Sequence, residues 1–418
     1  MNYVLIGAGP AGVRAAEALR LEDPAASIIL VSGEPGEPYA RMAIPYILSG
    51  RIHEEGAQQR KTVGHFDSQK IQYLNRKALK VNAGTNTATG GGTVELDDGT
   101  TLPYDRLLVA TGSSPSLPPI AGTDLPGVVS CWTLEDARVI ADKLKPGTRV
   151  IMLGAGFVAG VCMKSLVESG VTLSVIAGRA GQILRSMMTP VGSKMLQRWL
   201  EKRGVNVITK GKTERIGTGP TGPRLVMDNQ VIDADLIILA TGVHANVSFL
   251  EGTGAEIDQG IVINEFMETT VPGIYAAGDV AQGRDFSTGE WVVHALQPTA
   301  TEHGRVAALN MTGKRVPYRG SLSMNVLDTV GLISYTFGLW QGKEGGDVVE
   351  AVDEADYLYT RLCFDDDVLI GAISIGHAQH VGAIRGLIQT RRKLGPWKQK
   401  LMENPQQIME AFVDLSAR

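Results

Sequence analysis

A glycine-rich segment of one form occurs twice in this chain, each time between an apolar run and a region with helical character. The first copy is Gly7–Gly12 (GAGPAG) and the second is Gly154–Gly160 (GAGFVAG). Further along the chain, each is followed by an apolar run that ends in Ala-Thr-Gly, at 110–112 and at 240–242. Repetition of a strand–turn–helix unit constrains the fold more than either copy alone. It predicts two related units with parallel, buried sheets.

The spacing of Gly7, Gly9 and Gly12 has a physical use at a strand–helix junction. The first glycine permits a tight turn, the second lets the backbone approach a pyrophosphate, and the third lets the helix pack closely on the strand. The start of the helix then offers free N–H groups to the phosphates. A simple tight turn is the alternative. The residues predicted to contact dinucleotides at the two turns are Gly7, Gly9, Pro10, Ala11, Gly12, Gly154, Gly156, Phe157, Val158 and Ala159.

Charged residues near the ends of the following strands bear on recognition of the ribose. An acidic residue about 20 residues after the turn accepts hydrogen bonds from a ribose hydroxyl. The first unit offers Glu34, two residues late after the strand predicted at Ser27–Val31, and an exposed loop glutamate is the alternative. The second unit has Arg179, which either binds a 2′-phosphate and favours NADPH or is a solvated loop residue. The choice between NADH and NADPH therefore stays open.

The segment Thr270–Asp279 (TVPGIYAAGD) predicts a strand that carries Gly278 and Asp279 to the carboxyl edge of the first sheet. A carboxylate at that edge accepts hydrogen bonds from the ribityl chain of a flavin. The glycine beside it lets the backbone come close to such a ligand.

Composition and charge exclude several classes of protein. The formal net charge of −4 argues against nucleic-acid binding, which needs a broad basic surface. Cys131, Cys162 and Cys363 form no CxxC pair, so neither a disulfide framework nor a protein-held iron–sulfur or zinc site is expected. Cys131 and Cys162 are expected to pack as small apolar side chains. His377 and His380 have no third ligand nearby, so no metal site is predicted.

The cysteine usage suits a reducing compartment, and the expected location is the cytoplasm. No basic leader precedes the first strand, and no apolar run approaches the roughly 20 residues of a membrane span. No signal peptide and no membrane span are therefore expected.

Taken together, GAGPAG, the two Ala-Thr-Gly strands, the second glycine-rich turn and the segment ending in AAGD resemble the pyridine nucleotide-disulfide oxidoreductase superfamily. Glu37–Arg41 (EPYAR) is similar to an element of ferredoxin and rubredoxin reductases. The resemblance implies FAD at the first turn and NAD(H) or NADP(H) at the second. It also implies further cofactor contacts at Glu34, Arg41, Pro45, Ala78, Ala110, Thr111, Gly112, Gly242, Gly278, Asp279, Gln297 and Pro298.

The predicted fold class is α/β, with two Rossmann-like dinucleotide-binding domains, one for FAD and one for NAD(P), and a C-terminal α+β domain. The resemblance implies that the second domain is inserted in the first. The predicted bounds are 1–114 and 246–316 for the FAD domain, 115–245 for the NAD(P) domain, and 317–418 for the C-terminal interface domain.

Met42 stands where the CoA-disulfide reductases of that superfamily carry a redox cysteine. A thioether cannot form the thiolate that attacks a disulfide, so disulfide and cysteine-based peroxide chemistry are not expected. The predicted function is hydride exchange between NAD(P)H and FAD, with electrons passed to or from a separate iron–sulfur or other electron-transfer protein. The chain would be the flavin subunit of a multisubunit oxidoreductase. No catalytic acid or base is predicted.

Two alternatives stay open: a stand-alone flavin reductase or oxidase acting on a quinone or oxygen, and a nucleotide-responsive interaction protein similar to apoptosis-inducing-factor relatives. The C-terminal region loosely resembles flavin subunits of multisubunit enzymes, including tungsten aldehyde oxidoreductases. No acidic residue lies between Asp367 and Glu403, which predicts either a solvated face or a docking surface for an acidic partner. The basic residues there are Arg385, Arg391, Arg392, Lys393, Lys398 and Lys400. The partner, the direction and the oligomeric state are left open.

Overall fold

The computed structural model describes residues 1–84, 90–178, 181–228, 230–377 and 379–417. The chain divides into two compact units, each assembled from separate stretches. The first unit comprises Met1–Ala43, Ile52–Ser114 and Val243–Ser321, and the second comprises Ile44–Arg51, Pro115–Gly242 and Leu322–Arg418.

A five-stranded parallel sheet forms the centre of the first unit. In spatial order its strands are β19 (Ile274–Ala276), β7 (Arg106–Val109), β1 (Asn2–Ile6), β2 (Ser27–Ser32) and β3 (Gln72–Asn75). The apolar side chains of β1 and β7 are almost fully buried, as expected for strands covered on both faces. Helices α1 (Pro10–Glu22) and α8 (Gln297–Met311) pack against each other in this unit.

The α1–α8 contact is close because Gly304 lies in it. A Cβ on Gly304 would stand 2.1 Å from the Ala11 carbonyl oxygen, closer than any real side chain comes. The main chains of the two helices can approach this far only with hydrogen at position 304.

The rest of the first unit consists of small sheets, short helices and 3₁₀ turns. The strands are β4 (Ala78–Ala83), β5 (Gly92–Leu96) and β6 (Thr101–Tyr104) in one sheet, β18 (Ile261–Val262), β20 (Ala281–Arg284) and β21 (Trp291–Val293) in another, and the short β8 (Ser113–Pro115) and β17 (Val243–Ala245). The helical segments are α3 (Glu54–Ala57), α4 (His65–Ser68) and 3₁₀ turns at Arg41–Ala43, Ser248–Leu250 and Gly278–Val280.

The second unit repeats this plan around another five-stranded parallel sheet. In spatial order its strands are β12 (Asn206–Ile208), β11 (Thr172–Ile176), β10 (Arg149–Leu153), β16 (Leu236–Leu239) and β9 (Val128–Ser130). An antiparallel meander comprises β13 (Thr213–Thr218), β14 (Pro223–Met227) and β15 (Gln230–Asp233). The helices are α2 (Ile44–Leu48), α5 (Leu134–Lys143), α6 (Phe157–Glu168) and α7 (Pro190–Glu201).

The C-terminal part of the second unit has its own five-stranded antiparallel sheet. In spatial order its strands are β22 (Met324–Thr329), β23 (Leu332–Gly338), β26 (Val368–Ile375), β25 (Leu358–Asp365) and β24 (Asp347–Asp353). The helical segments that follow are α9 (Val381–Thr390), α10 (Pro396–Glu403), a 3₁₀ turn at Pro405–Gln407 and α11 (Ile408–Ala417).

The predicted α/β class with two matched parallel sheets is confirmed. The division into three domains with bounds at 114, 245 and 316 stays a prediction, since residues 322–418 cluster in the same compact unit as 115–242. Within the part of the chain that the structure describes, no helix has both the length and the apolar character needed to cross a membrane.

Candidate active site

The first glycine-rich turn links β1 to α1, and two of its glycines are fixed by close contacts. Gly7 has a φ of +108°, and a Cβ there would lie 2.2 Å from the Ala110 carbonyl oxygen. A Cβ on Gly12 would lie 1.8 Å from the carbonyl oxygen of Gly7. Neither position accepts a side chain, so these two glycines serve the turn and the helix–strand contact.

Gly9 is different, because a Cβ there would meet no described atom within 4 Å. Its φ of −72° and ψ of −176° suit any residue, and it is the N-cap of α1, with Pro10 opening the helix. Among the described residues, no side chain caps this helix and its first turn has no acid. The backbone at Gly9 therefore faces open space at the positive end of a helix, where an anion is stabilised.

Gly278 and Asp279 follow β19 and meet the starts of both packed helices. Gly278 has a φ of +79°, and a Cβ there would lie 3.2 Å from Ala11 Cβ and 3.4 Å from Ala300 Cβ. The segment therefore joins the first turns of α1 and α8. Gln297 and Pro298 open α8 and are exposed to solvent.

Asp279 places a half-buried carboxyl at this junction. Burial raises the pKa of the Asp279 carboxyl, and the Arg41 guanidinium and the Ser113 hydroxyl act in the opposite direction. A ligand that donated hydrogen bonds to this carboxylate would favour its charged form.

Glu34 and Arg41, for which the sequence implies separate FAD contacts, are bonded to each other. The Arg41 guanidinium donates to Glu34 Oε1, and the Tyr39 hydroxyl donates to Glu34 Oε2 at 2.5 Å. The Glu34 main-chain carbonyl accepts hydrogen bonds from Ser32 Oγ and Asn75 Nδ2, each at 3.0 Å. These hydrogen bonds hold the loop after β2 in place.

Each Ala-Thr-Gly segment makes the same pair of hydrogen bonds with one residue of its own unit. Thr111 Oγ1 donates to the Asn246 carbonyl at 2.8 Å, and the Asn246 N–H donates to Gly112 at 3.0 Å. Thr241 Oγ1 donates to the Ser116 carbonyl at 2.6 Å, and the Ser116 N–H donates to Gly242 at 2.9 Å.

Sequence reasoning missed Ser116 and Asn246. Each lies four residues after the Ala-Thr-Gly segment of the other unit, at 110–112 and 240–242. This equal spacing in the two halves of the sequence is the pattern from which they could have been predicted.

The second turn, between β10 and α6, repeats the geometry of the first. Gly154 has a φ of +113°, and a Cβ there would lie 2.1 Å from the Ala240 carbonyl oxygen. Gly156 is the N-cap of α6, and a Cβ on it would meet no described atom within 4 Å. The third position is Ala159, whose methyl group is fully buried. Phe157 and Val158 open the helix and are partly exposed.

The remaining predicted contacts have different placements. Ala78 is buried at the start of β4 in the first unit. Pro45 lies in α2 of the second unit, where its carbonyl accepts a hydrogen bond from Ser165 Oγ at 2.6 Å. Arg179 lies outside the described residues. Gln59, which the sequence did not single out, donates to the Ala8 carbonyl at 3.1 Å beside the first turn.

Two histidines with little exposed surface lie at α8, His294 before its start and His303 within it. His294 Nε2 lies 2.9 Å from Asp285 Oδ2, and both side chains are less than 10% exposed. His303 is 2% exposed, and its Nε2 lies 3.3 Å from Ser321 Oγ. Burial, assisted by His294, lowers the pKa of His303 to about 4. His303 is therefore neutral at pH 7.

These features suit extended dinucleotides with a diphosphate. In the first unit, one uncapped helix start, one open glycine backbone and one half-buried carboxyl converge on the carboxyl edge of a parallel sheet. The carboxyl edge of such a sheet is where nucleotides bind in doubly wound folds. The second unit offers the same uncapped helix start at Gly156.

A family model described as pyridine nucleotide-disulphide oxidoreductase matches residues 1–304. Subunit epsilon of the NADH-dependent phenylglyoxylate dehydrogenase of Aromatoleum evansii is 31% identical over 409 residues, which cover 97% of this chain and 95% of that subunit. The ferredoxin–NAD(+) reductase component of the anthranilate 1,2-dioxygenase system of Burkholderia cepacia is 29% identical over 99% of this chain and 98% of that protein.

Two longer relatives from Bacillus subtilis also match, and the chain spans only 51% and 47% of their lengths. Among solved structures, a covalent putidaredoxin reductase–putidaredoxin complex aligns with a TM-score of 0.88 at 24% identity. That alignment covers 100% of this chain and 99% of the other. At this identity the likeness establishes the fold.

Proposed function

The chain belongs to the pyridine nucleotide-disulphide oxidoreductase family, and within it we propose a flavin subunit that exchanges electrons with a separate iron–sulfur protein. It is an oxidoreductase whose cofactors are FAD and a pyridine nucleotide. The observation that carries the proposal is the pair of matched strand–turn–helix sites, each with an open glycine at an uncapped helix start.

We assign FAD to the first unit. The open backbone at Gly9 and the first turn of α1, with Pro10 and Ala11, would bind its diphosphate, because a helix start offers N–H donors and a positive dipole end. Asp279 would accept hydrogen bonds from the ribityl chain. The ribose contact of Glu34 and the diphosphate contact of Arg41 stay predictions, and their ion pair means that the two would act together. Ala78 and the first turn of α8 keep the roles that the family resemblance implies.

The second unit would bind the pyridine nucleotide. Gly156 and the first turn of α6 repeat the features of the first site, so they would bind the nucleotide diphosphate. FAD, when bound, accepts two electrons as hydride and releases them singly. The residues of this chain bind and orient the two dinucleotides, and none of them has to transfer a proton in the hydride step.

Position 42 has no cysteine that could accept electrons from the flavin, which favours an acceptor on another protein. Met42 is 58% exposed and cannot form a thiolate. Among the described residues, no group of three or more His, Cys, Asp or Glu side chains is arranged to hold a metal ion. We therefore propose that the one-electron carrier is a separate polypeptide.

The basic C-terminal segment is the proposed docking surface. Arg391, Arg392 and Lys393 are exposed in the turn after α9. Asp367 fixes this turn, since its carboxylate accepts the Gly395 N–H at 2.9 and 3.0 Å. Fixed positive charge speeds the encounter with an acidic partner and sets its register.

The relatives support this class of partner without naming it. One is a subunit of a dehydrogenase and another is a ferredoxin–NAD(+) reductase component. We propose that this chain likewise works as a component of an electron-transfer system. We also propose a cytoplasmic location, consistent with the three unpaired thiols of the chain.

The proposal is tested by comparing electron acceptors anaerobically with the FAD-loaded chain. NADH- or NADPH-dependent rates are measured with a two-iron ferredoxin, a rubredoxin and menadione, and the oxygen rate is measured separately. We expect an iron–sulfur acceptor to be reduced faster than menadione or oxygen at equal concentration. Fast turnover with menadione or oxygen alone would instead identify a stand-alone reductase. Slow turnover with every acceptor would favour the nucleotide-responsive interaction protein.

A further inference from the structure

Two of the three cysteines meet inside the second unit. Cys131 Sγ and Cys162 Sγ are 3.4 Å apart, although 31 positions separate the residues in the sequence. Both side chains are buried, with 6% and 3% of their surfaces exposed. The expected burial is confirmed, but their contact was not predicted.

The two sulfurs are carried by parts of the unit that are firmly placed. Cys131 directly follows β9, and the main chain after it is held by the Thr133–Asp136 capping box that opens α5. Cys162 lies in the middle of α6, six residues after Gly156, the N-cap of that helix. The pair therefore connects the edge strand of the sheet to the helix that carries the second glycine-rich turn.

We propose that Cys131 and Cys162 form a reversible disulfide under peroxide, and that this bond weakens nucleotide binding at the second turn. The regulatory half rests on the proposed binding of the nucleotide there. A disulfide has an S–S distance of about 2.05 Å, so the sulfurs must approach by about 1.3 Å from the observed 3.4 Å. Side-chain rotation covers part of that distance, and a shift of α6 covers the rest.

The oxidation balances with hydrogen peroxide as the oxidant. One thiolate attacks a peroxide oxygen, which breaks the O–O bond, forms a sulfenic acid and releases water after protonation. The second thiol then attacks the sulfenic sulfur, forms the S–S bond and releases a second water. Two thiols are oxidised and one peroxide is reduced to two waters. A small-molecule thiol reverses the step by exchange.

The environment makes this reaction slow at neutral pH. The hydrogen bond with Cys162, together with burial, raises the pKa of the Cys131 thiol well above its usual range. Since the thiolate is the nucleophile, the rate of disulfide formation should rise with pH. The pair would stay reduced in ordinary conditions and respond only to sustained oxidant.

The test counts free thiols in the full-length FAD-loaded chain. After peroxide, catalase and denaturation, an alkylating reagent is added and the mass of the intact chain is measured. We expect three alkylated cysteines before oxidation and one, Cys363, after it, with a Cys131–Cys162 cross-linked peptide that a thiol reductant removes. Cys363→Ala is the matched control: its thiol is buried elsewhere, donating to the Trp340 carbonyl, so the cross-link should still form.

Nucleotide binding is measured on the same samples. Because a shift of α6 would displace the N–H groups of its first turn from the nucleotide diphosphate, we expect the KM for the nucleotide to rise several-fold on oxidation and to recover on reduction. Cys131→Ala and Cys162→Ala should abolish both changes. Three alkylated cysteines after peroxide, or sulfinic acid without the cross-link, would overturn the disulfide. A cross-link that leaves KM unchanged would overturn the regulation. The thiol count does not depend on turnover, so its outcome is separate from the proposed function.

Discussion

Replacing Gly9 and Gly156 by alanine, one at a time, should separate the two cofactors. Both residues are helix N-caps with φ near −72° and −84°, and a Cβ on either would meet no described atom within 4 Å. Alanine is a weaker N-cap than glycine by several tenths of a kcal/mol. The smaller conformational freedom of the unfolded chain offsets this by about 0.4–1 kcal/mol. The ligand-free fold should therefore be almost unaffected.

Ligand binding should respond strongly, because the new methyl group occupies the space that a diphosphate needs. Loss of one amide–phosphate hydrogen bond costs about 1.5–3 kcal/mol. That corresponds to a Kd weaker by about 10-fold to 150-fold. We expect Gly9→Ala to weaken FAD and Gly156→Ala to raise the Kd for the nucleotide while FAD stays bound.

The assay has three measurements: thermal unfolding of the FAD-free chain, FAD affinity from flavin fluorescence, and nucleotide affinity of the FAD-loaded chain. Melting temperatures should stay within about 2 °C of the natural chain. FAD binding by Gly9→Ala as tight as in the natural chain would refute the assignment of the diphosphate to this helix start. A Gly156→Ala chain that lost FAD while its affinity for the nucleotide stayed unchanged would refute the assignment of the two cofactors.

Three further predictions concern docking, pH and packing. Replacing Arg392 and Lys393 by glutamate should slow the reduction of an acidic ferredoxin and weaken the dependence of that rate on salt, because electrostatic attraction of the partner is lost. The rate of flavin reduction by the nucleotide, measured by stopped flow as the control, should stay unchanged. The pKa of His303 is lowered to about 4, so between about pH 4 and 6.5 the unfolded chain binds a proton that the folded chain does not. The free energy of unfolding should therefore fall as the pH falls through that range, by on the order of 3 kcal/mol in all. His303→Gln should remove this pH dependence in urea titrations. Gly304→Ala should lower the melting temperature and the FAD content, because its Cβ would stand 2.1 Å from a backbone oxygen of α1. The control Gly382→Ala, whose Cβ on α9 would meet no described atom within 4 Å, should change neither. Equal effects of the two substitutions would contradict the close contact at Gly304.

The sequence was sufficient where local backbone geometry decides the structure. Gly7 and Gly154 both need positive φ at a strand–helix turn, and only glycine adopts it readily. The two parallel sheets followed from that repeat, and the family followed from the repeat together with the segment ending in AAGD. These features depend on residue spacing, which a single sequence records directly.

Side-chain partners over long distances were not predictable in the same way. Glu34 and Arg41 each have several polar groups within reach, and their mutual ion pair depends on the path of the loop after β2. The Cys131–Cys162 contact joins a strand end to a helix middle, and no spacing in the sequence encodes it. Pro45 stays a predicted cofactor contact, and its hydrogen bond with Ser165, 120 positions away, had no counterpart in the sequence pattern.

We propose that the two matched sites pass hydride from a pyridine nucleotide to FAD. The most direct measurement is an anaerobic titration of the purified, FAD-loaded chain with NADH, and separately with NADPH, following the visible absorbance of the flavin. We expect rapid bleaching, complete at one nucleotide per flavin, by at least one of the two nucleotides. Slow or absent bleaching by both, with FAD still bound, would contradict it.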